Sequence, residues 1–221
     1  MDPDPTPPAD AEAALIAACL EQIAVQGWAR LSIPAAARAA DIPLDVARRT
    51  LPDRCALLFR FNTLADAFAL AGAPAEGPER DRLFDLLMRR IDFLQAHRSG
   101  VIALLRAAPF DPPAALLLAG TSLRSMAWLL EAAGIGAAGP NGALRAAGLL
   151  AVWSWTLRAW QRDTSSDMAP TMAALDTALA QAERAAGWLA PRPLPDPAPQ
   201  APAPTEDAAF TPQEQDLPDA K

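Results

Sequence analysis

Side chains that could carry a reaction are few in this sequence and poorly spaced. His97 is the only histidine, near the end of a charged helical stretch. An imidazole there serves more readily as a helix-terminal cation than as a base. Cys19 and Cys55 have neither paired spacing nor histidine neighbours, so the expectation is two reduced thiols in or near a core, not a zinc site or a disulfide. The glycine run "GIGAAG" at 134–139 lacks the preceding strand of a phosphate-cradling loop and reads as a helix connection. Serines and acids are scattered without nucleophile–base spacing. No catalytic residue, metal ligand or cofactor is expected.

Arginines offer a different chemistry, the binding of a polyanion. The formal net charge of −7 is discouraging until it is divided along the chain. Residues 1–10 carry Asp2, Asp4 and Asp10, and residues 191–221 carry six acids against Arg192 and Lys221, so the two ends hold the whole excess. Between Gly27 and Arg60, six arginines (30, 38, 48, 49, 54 and 60) face only Asp41, Asp45 and Asp53. That segment is mildly basic, as a phosphate-binding surface requires.

The elements that must position those arginines follow from local signals. Tyrosine is absent and β-branched residues are sparse, which favours an all-α chain. Leu15, Ile16, Cys19, Leu20 and Ile23 mark an amphipathic helix that stops near Gly27. Ser32 can cap a short helix over Ile33–Ala40 with Pro34 in its first turn. Asp41-Ile42-Pro43 then makes a turn, a second short helix covers Leu44–Thr50, and Leu51-Pro52 ends it. Asp53 can cap the next helix, through Phe68. Alanines 36, 37, 39 and 40 are small enough for a steep helix crossing, and Asp tolerates a left-handed turn. Ile42 and Val46 then pack inward, leaving Arg48, Arg49 and Thr50 outside. This is either a helix-turn-helix or an ordinary hairpin in an alanine-rich core.

Further helices are expected over 79–100, with Gly100 as a stop, over 101–108, over 114–134, over 142–163 and over 168–189. Both ends, "MDPDPTPP" and 191–221, are proline-rich, acidic and poor in large apolar residues, the composition of disordered tails. The N-terminus lacks the basic flank of a signal peptide, and no apolar run reaches the roughly 18 residues that span a bilayer. A cytoplasmic chain without a membrane span is expected.

Gly27-Trp28, Ser32-Ile33, Ala36-Ala37, Ala40, Ile42, Leu51, Ala56 and Leu57 fall in an order that resembles the N-terminal domain of the TetR family of transcriptional repressors. The likeness covers about residues 10–70. There are departures: Asp41 replaces the turn glycine, Pro43 stands where a serine caps the recognition helix, and Val46-Ala47-Arg48-Arg49-Thr50-Leu51 replaces Thr-Leu-Tyr-x-His-Phe. Arg48, Thr50 and Arg54 occupy the places that hold the DNA backbone in the family. The resemblance implies a TetR-like fold, with tails at 1–8 and 191–221, a helix-turn-helix domain at 9–53 and a ligand-binding and dimerisation bundle at 54–190. It implies a homodimeric, non-enzymatic repressor that a small effector releases from DNA, with Ser32, Leu44, Asp45, Arg48, Arg49, Thr50 and Arg54 at the DNA. The tryptophan helix and the Thr171–Asp176 element also resemble the ubiquinone-biosynthesis accessory proteins, chains of the same frame that bind isoprenoid lipid instead of DNA.

"GALRAAGLLAVWSWTLRAWQRD" is apolar nearly all round, as a helix buried on more than one side must be. It is either an intrachain core helix or, as the resemblance implies, half of a dimer interface formed by Leu149, Trp153, Leu157 and Trp160 with Leu175 and Leu179. Met88, Phe93, Met126, Trp128 and Trp153 are candidate linings of a mainly apolar pocket. With few interior charges expected, an apolar effector fits best.

Overall fold

Side-chain caps open three of the helices. In the computed structural model, which describes residues 9–73 and 76–189, nine α-helices and no strand are found among the described residues. They are α1 (Ala9–Gln26), α2 (Ile33–Ala39), α3 (Leu44–Thr50), α4 (Arg54–Leu70), α5 (Glu79–Gln95), α6 (Arg98–Ala107), α7 (Pro112–Ala132), α8 (Gly139–Arg162) and α9 (Ala169–Leu189). Ser32 Oγ accepts from the Ala35 N–H to open α2, Asp53 from Ala56 to open α4, and Asp111 from Ala114 to open α7. The all-α expectation holds. Residues 1–8 and 191–221, expected as tails, lie outside the described residues.

Two local expectations need correction, for Gly100 and Cys55. Gly100 does not end a helix: α5 stops at Gln95, and Gly100 sits in the first turn of α6. A Cβ there would come within 2.4 Å of the Leu20 carbonyl oxygen, so the glycine allows α6 to approach the backbone of α1. His97 lies at the end of α5, as expected, with its N–H on the Leu94 carbonyl. It stands before α6, half-buried, with its ring edge-on to Phe61 and Phe93 at 6.3 and 6.4 Å. Cys19 is buried as expected, and burial pushes its thiol up to about 11. Cys55 lies exposed on the first turn of α4 instead of in the core.

One apolar cluster runs from Leu15 on α1 to Leu179 on α9. It crosses residue 53 without a break, so α1 packs on α6 and α4 packs on α5 and α7 within one compact unit. α7 is long and apolar enough to cross a bilayer by length and composition, with a mean hydropathy of 1.2. Here it lays one face against α4 and α8. The turn into α9 is held by Asp163, which is buried and accepts from both N–H and hydroxyl groups of Ser165 and Thr171. Those bonds, from the Ser165 hydroxyl first and then Thr171, hold its carboxyl down at about 2.

Candidate nucleic-acid interface

The α2–α3 unit is shaped by small residues inside and a left-handed turn between. Ala36 and Ala37 are buried on α2, and Ala47 is buried on α3, so the two helices meet without bulky side chains between them. Asp41 adopts φ 55°, the left-handed conformation that Asp tolerates better than most residues. The Ile42 N–H then bonds back to the Ala37 carbonyl at 2.9 Å and closes the turn. Ile42 packs on the core and Val46 is half-buried.

Helical period decides which α3 residues face outward. Ala47, Thr50 and Leu51 share the inner face, while Leu44, Asp45, Arg48 and Arg49 share the exposed one. Arg49 pairs with Asp45 one turn back at 3.1 Å, and Arg48 donates to the Pro52 carbonyl at 2.5 Å. Ser32 is exposed beside them and occupied as a cap. Arg30 and Arg38 are exposed as well.

Two expected DNA contacts are corrected by their surroundings. Thr50 is buried, and its hydroxyl donates to the Val46 carbonyl at 2.9 Å; the side chain sits on the core face of α3 and cannot reach a phosphate. Arg54 donates to the carbonyls of Ala29 at 3.1 Å and Leu31 at 2.9 Å, with its guanidinium over the Trp28 ring. It fastens the loop before α2 to the start of α4. Trp28 in turn donates from Nε1 to Asp111 at 2.7 Å, tying the same loop to the beginning of α7. That bond first, then the one from the Ala114 N–H, holds the Asp111 carboxyl below its ordinary value. Nothing in the local sequence points to an 83-residue link of this kind.

The five expected pocket residues do not converge on one cavity. Met126 and Trp153 are buried in the core, Met88 and Phe93 are half-buried, and Trp128 is 63% exposed. Trp128 falls outside because α7 buries Thr121, Ser125, Met126, Leu129 and Leu130, the face toward its neighbours. Phe93 instead stacks with Phe61 and Phe68 at 5.4 and 5.8 Å. Two open surface clefts are lined by other residues, such as Arg162 and Ser165 in one and Arg80 and Asp176 in the other. Interior charges are few, as expected: Arg90 and Asp163 are the buried charged residues among those described. Arg90 of α5 is buried, paired with Asp66 of α4, and lies over the Trp153 ring of α8 at 5.1 Å. The signal is present in the sequence: Arg90 occupies the apolar stripe formed by Leu83, Leu86, Leu87, Ile91 and Leu94.

The expected dimer residues belong to the core of one chain. Leu149, Trp153, Trp160, Leu175 and Leu179 are buried and Leu157 is half-buried without any partner chain. Trp160 is 0% exposed, donates from its indole to Gln95 at 2.8 Å and stacks under Arg98. The opposite face of α8 is the open one. Leu144, Gly148, Ala151 and Trp155 recur there at spacings of four, three and four, and all are exposed, Trp155 by 57%. The apolar character of α8 on both sides hides which face is which.

No family profile matches the chain, and no curated protein is similar to it. Solved structures are. The crystal structure of a TetR transcriptional regulator from Nitrosomonas europaea superposes with a TM-score of 0.65 at 19% identity, over 82% of this chain and 99% of that one. A structure from Syntrophomonas wolfei assigned to the TetR family gives 0.58 at 12% identity, over 80% of this chain and 95% of that one. The comparisons lend no support to the isoprenoid-binding alternative. With the α2–α3 unit followed along the chain by further helices, the chain has the fold of the TetR-family transcriptional regulators.

Proposed function

We propose that the chain is a DNA-binding transcriptional regulator, a homodimeric repressor that a small, mainly apolar effector releases from DNA. Residues 9–53 take the DNA-facing role and 54–190 the effector and dimer roles. The observation that carries the reading is the exposed edge of α3, where Leu44, Asp45, Arg48 and Arg49 stand clear of the core behind a closed Asp41 turn. A helix of this kind lies in the major groove, where arginines meet guanine edges or phosphates and an apolar side chain meets a thymine methyl. Ser32, at the start of α2, is placed to meet the backbone alongside. Thr50 and Arg54 support the site from beneath and take no part in contact.

A dimer supplies the second half-site, and the face we assign to it is the Leu144–Trp155 stripe of α8. An exposed apolar row with glycine and alanine between two large residues allows close helix approach. Trp155→Glu is expected to give a folded monomer by sedimentation velocity, whereas Trp160→Glu, which buries a charge inside one chain, is expected to unfold it. A folded dimer of the Trp155 variant contradicts the assignment. DNA binding is tested by fluorescence anisotropy on the duplex upstream of the gene against a scrambled duplex. The reading expects tighter binding to the first, with log K falling against log salt by about 0.9 per phosphate contacted. Equal, salt-insensitive binding to both overturns it.

A further inference from the structure

The Arg90 cluster joins three helices, α4, α5 and α7, through polar atoms in a largely apolar core. Arg90 pairs with the Asp66 carboxylate and donates from Nη2 to Asn62 Oδ1 at 2.5 Å. Asn62 Nδ2 donates to Ser125 Oγ at 2.7 Å, and Ser125 donates to Asp66 Oδ2 at 2.5 Å. Burial pushes the guanidinium down to about 10, so it remains a cation at neutral pH. A buried ion pair is a weak stabiliser, because desolvation of the two charges offsets their attraction and an apolar pair often serves as well. The pair is also unevenly placed. The Arg90 side chain is 3% exposed, whereas that of Asp66 is 19% exposed and borders water. Arg90 Nε has no hydrogen-bond partner among the described residues.

We propose that Arg90 is the seat of a monocarboxylate-binding site, in which the carboxylate of a small acid with an apolar body takes the place of Asp66 on the guanidinium. The exchange keeps the interior neutral, one negative group leaving as another enters. A phosphate would bring a second charge with nothing to match it, and a neutral molecule would strand Arg90. The incoming carboxylate takes the Nη1 donor that Asp66 gives up, and Nε, which Asp66 and Asn62 leave unused, is a further donor of the same guanidinium. Asn62 and Ser125 are in reach of the same acid, the Trp153 ring walls the seat, and Asp66 swings into the water it already borders. The consequence rests on the regulator reading above: α4 starts just after α3 ends, so an acid that unfastens Asp66 loosens α4 from α5 and alters the placement of α3.

The test is isothermal titration of the full-length chain with octanoate and phenylacetate, each against its neutral amide. Wild type is expected to bind an acid and neither amide. Asp66→Asn, which removes the internal competitor, is expected to bind that acid at least tenfold more tightly. The double variant Arg90→Met with Asp66→Ala, which leaves neither charge buried alone, is expected to melt cooperatively and bind nothing. Failure of a folded Asp66→Asn protein to prefer either acid over its amide overturns the proposal, as does unchanged acid binding by the double variant. The same proteins are then run on the upstream duplex. DNA retention without acid binding removes this site and keeps the regulator; acid binding without DNA retention keeps the site and removes the regulator.

Discussion

Two sets of arginines in this chain are held in opposite ways. On α3, Arg48 reaches the Pro52 carbonyl and Arg49 reaches Asp45, each four residues away on the exposed surface. In the body the partners are distant in sequence: Arg54 spans 23 and 25 residues to the loop before α2, Arg90 spans 28 to Asn62, and Arg98 spans 62 and 65 to the carbonyls of Trp160 and Asp163. An arginine that bridges distant segments is part of the fold, and its removal is felt as a fall in stability. One that is satisfied within a single turn of exposed helix can exchange that partner for a phosphate easily, since surface pairs contribute about 0–1 kcal/mol. Sequence position does not separate the sets, since Arg48, Arg49 and Arg54 lie within seven residues of one another.

Substitutions turn the contrast into measurements. Arg90→Met leaves Asp66 without its cation, and breaking a buried pair typically costs about 3–5 kcal/mol; with Asp66 partly in water we expect about 3 kcal/mol in a urea unfolding series. A loss below about 0.5 kcal/mol would place Arg90 with the surface set. Arg54→Ala removes two carbonyl bonds and the stacking over Trp28, for an expected loss of about 1–2 kcal/mol. Were Arg54 at the DNA instead, the variant would melt like wild type and bind DNA more weakly. Smaller, and opposite in sign, is Asp41→Gly: relieving the left-handed backbone at φ 55° is expected to raise stability by about 0.5–1 kcal/mol. A drop in its melting temperature would mean that the Asp41 side chain holds the turn in some other way.

The α2–α3 unit is legible in the sequence because its signals are local. A serine three residues before the N–H it caps, a helix-stopping Leu-Pro and an aspartate able to turn left-handed each act within a few residues, and they bound α3 at Leu44–Thr50, the limits observed. Face assignment is harder. Thr50 reads as an outward donor by type, although Ala47 and Leu51 put it on the buried side of the period. On α8, Trp153, Trp155 and Trp160 offer equal hydrophobicity, and only the packing of the chain decides that 153 and 160 go in while 155 stays out. Long-range links are the least legible. Trp28–Asp111 and Arg90–Asp66 join residues whose own neighbourhoods give no hint of a partner, apart from the single charge on the apolar stripe of α5.

The central claim is that Arg48 and Arg49 are exposed for DNA and not for the fold. A mobility shift on the duplex upstream of the gene, run at low salt with wild type and the Arg48→Ala/Arg49→Ala double variant, tests it directly. The two proteins are expected to unfold within about 0.5 kcal/mol of each other, because both side chains face solvent. The wild type is expected to retain the duplex and the double variant to release it, with the residual salt slope reduced by about one unit for each phosphate no longer held. An unshifted wild type, or a double variant that shifts the duplex equally well, would contradict the account.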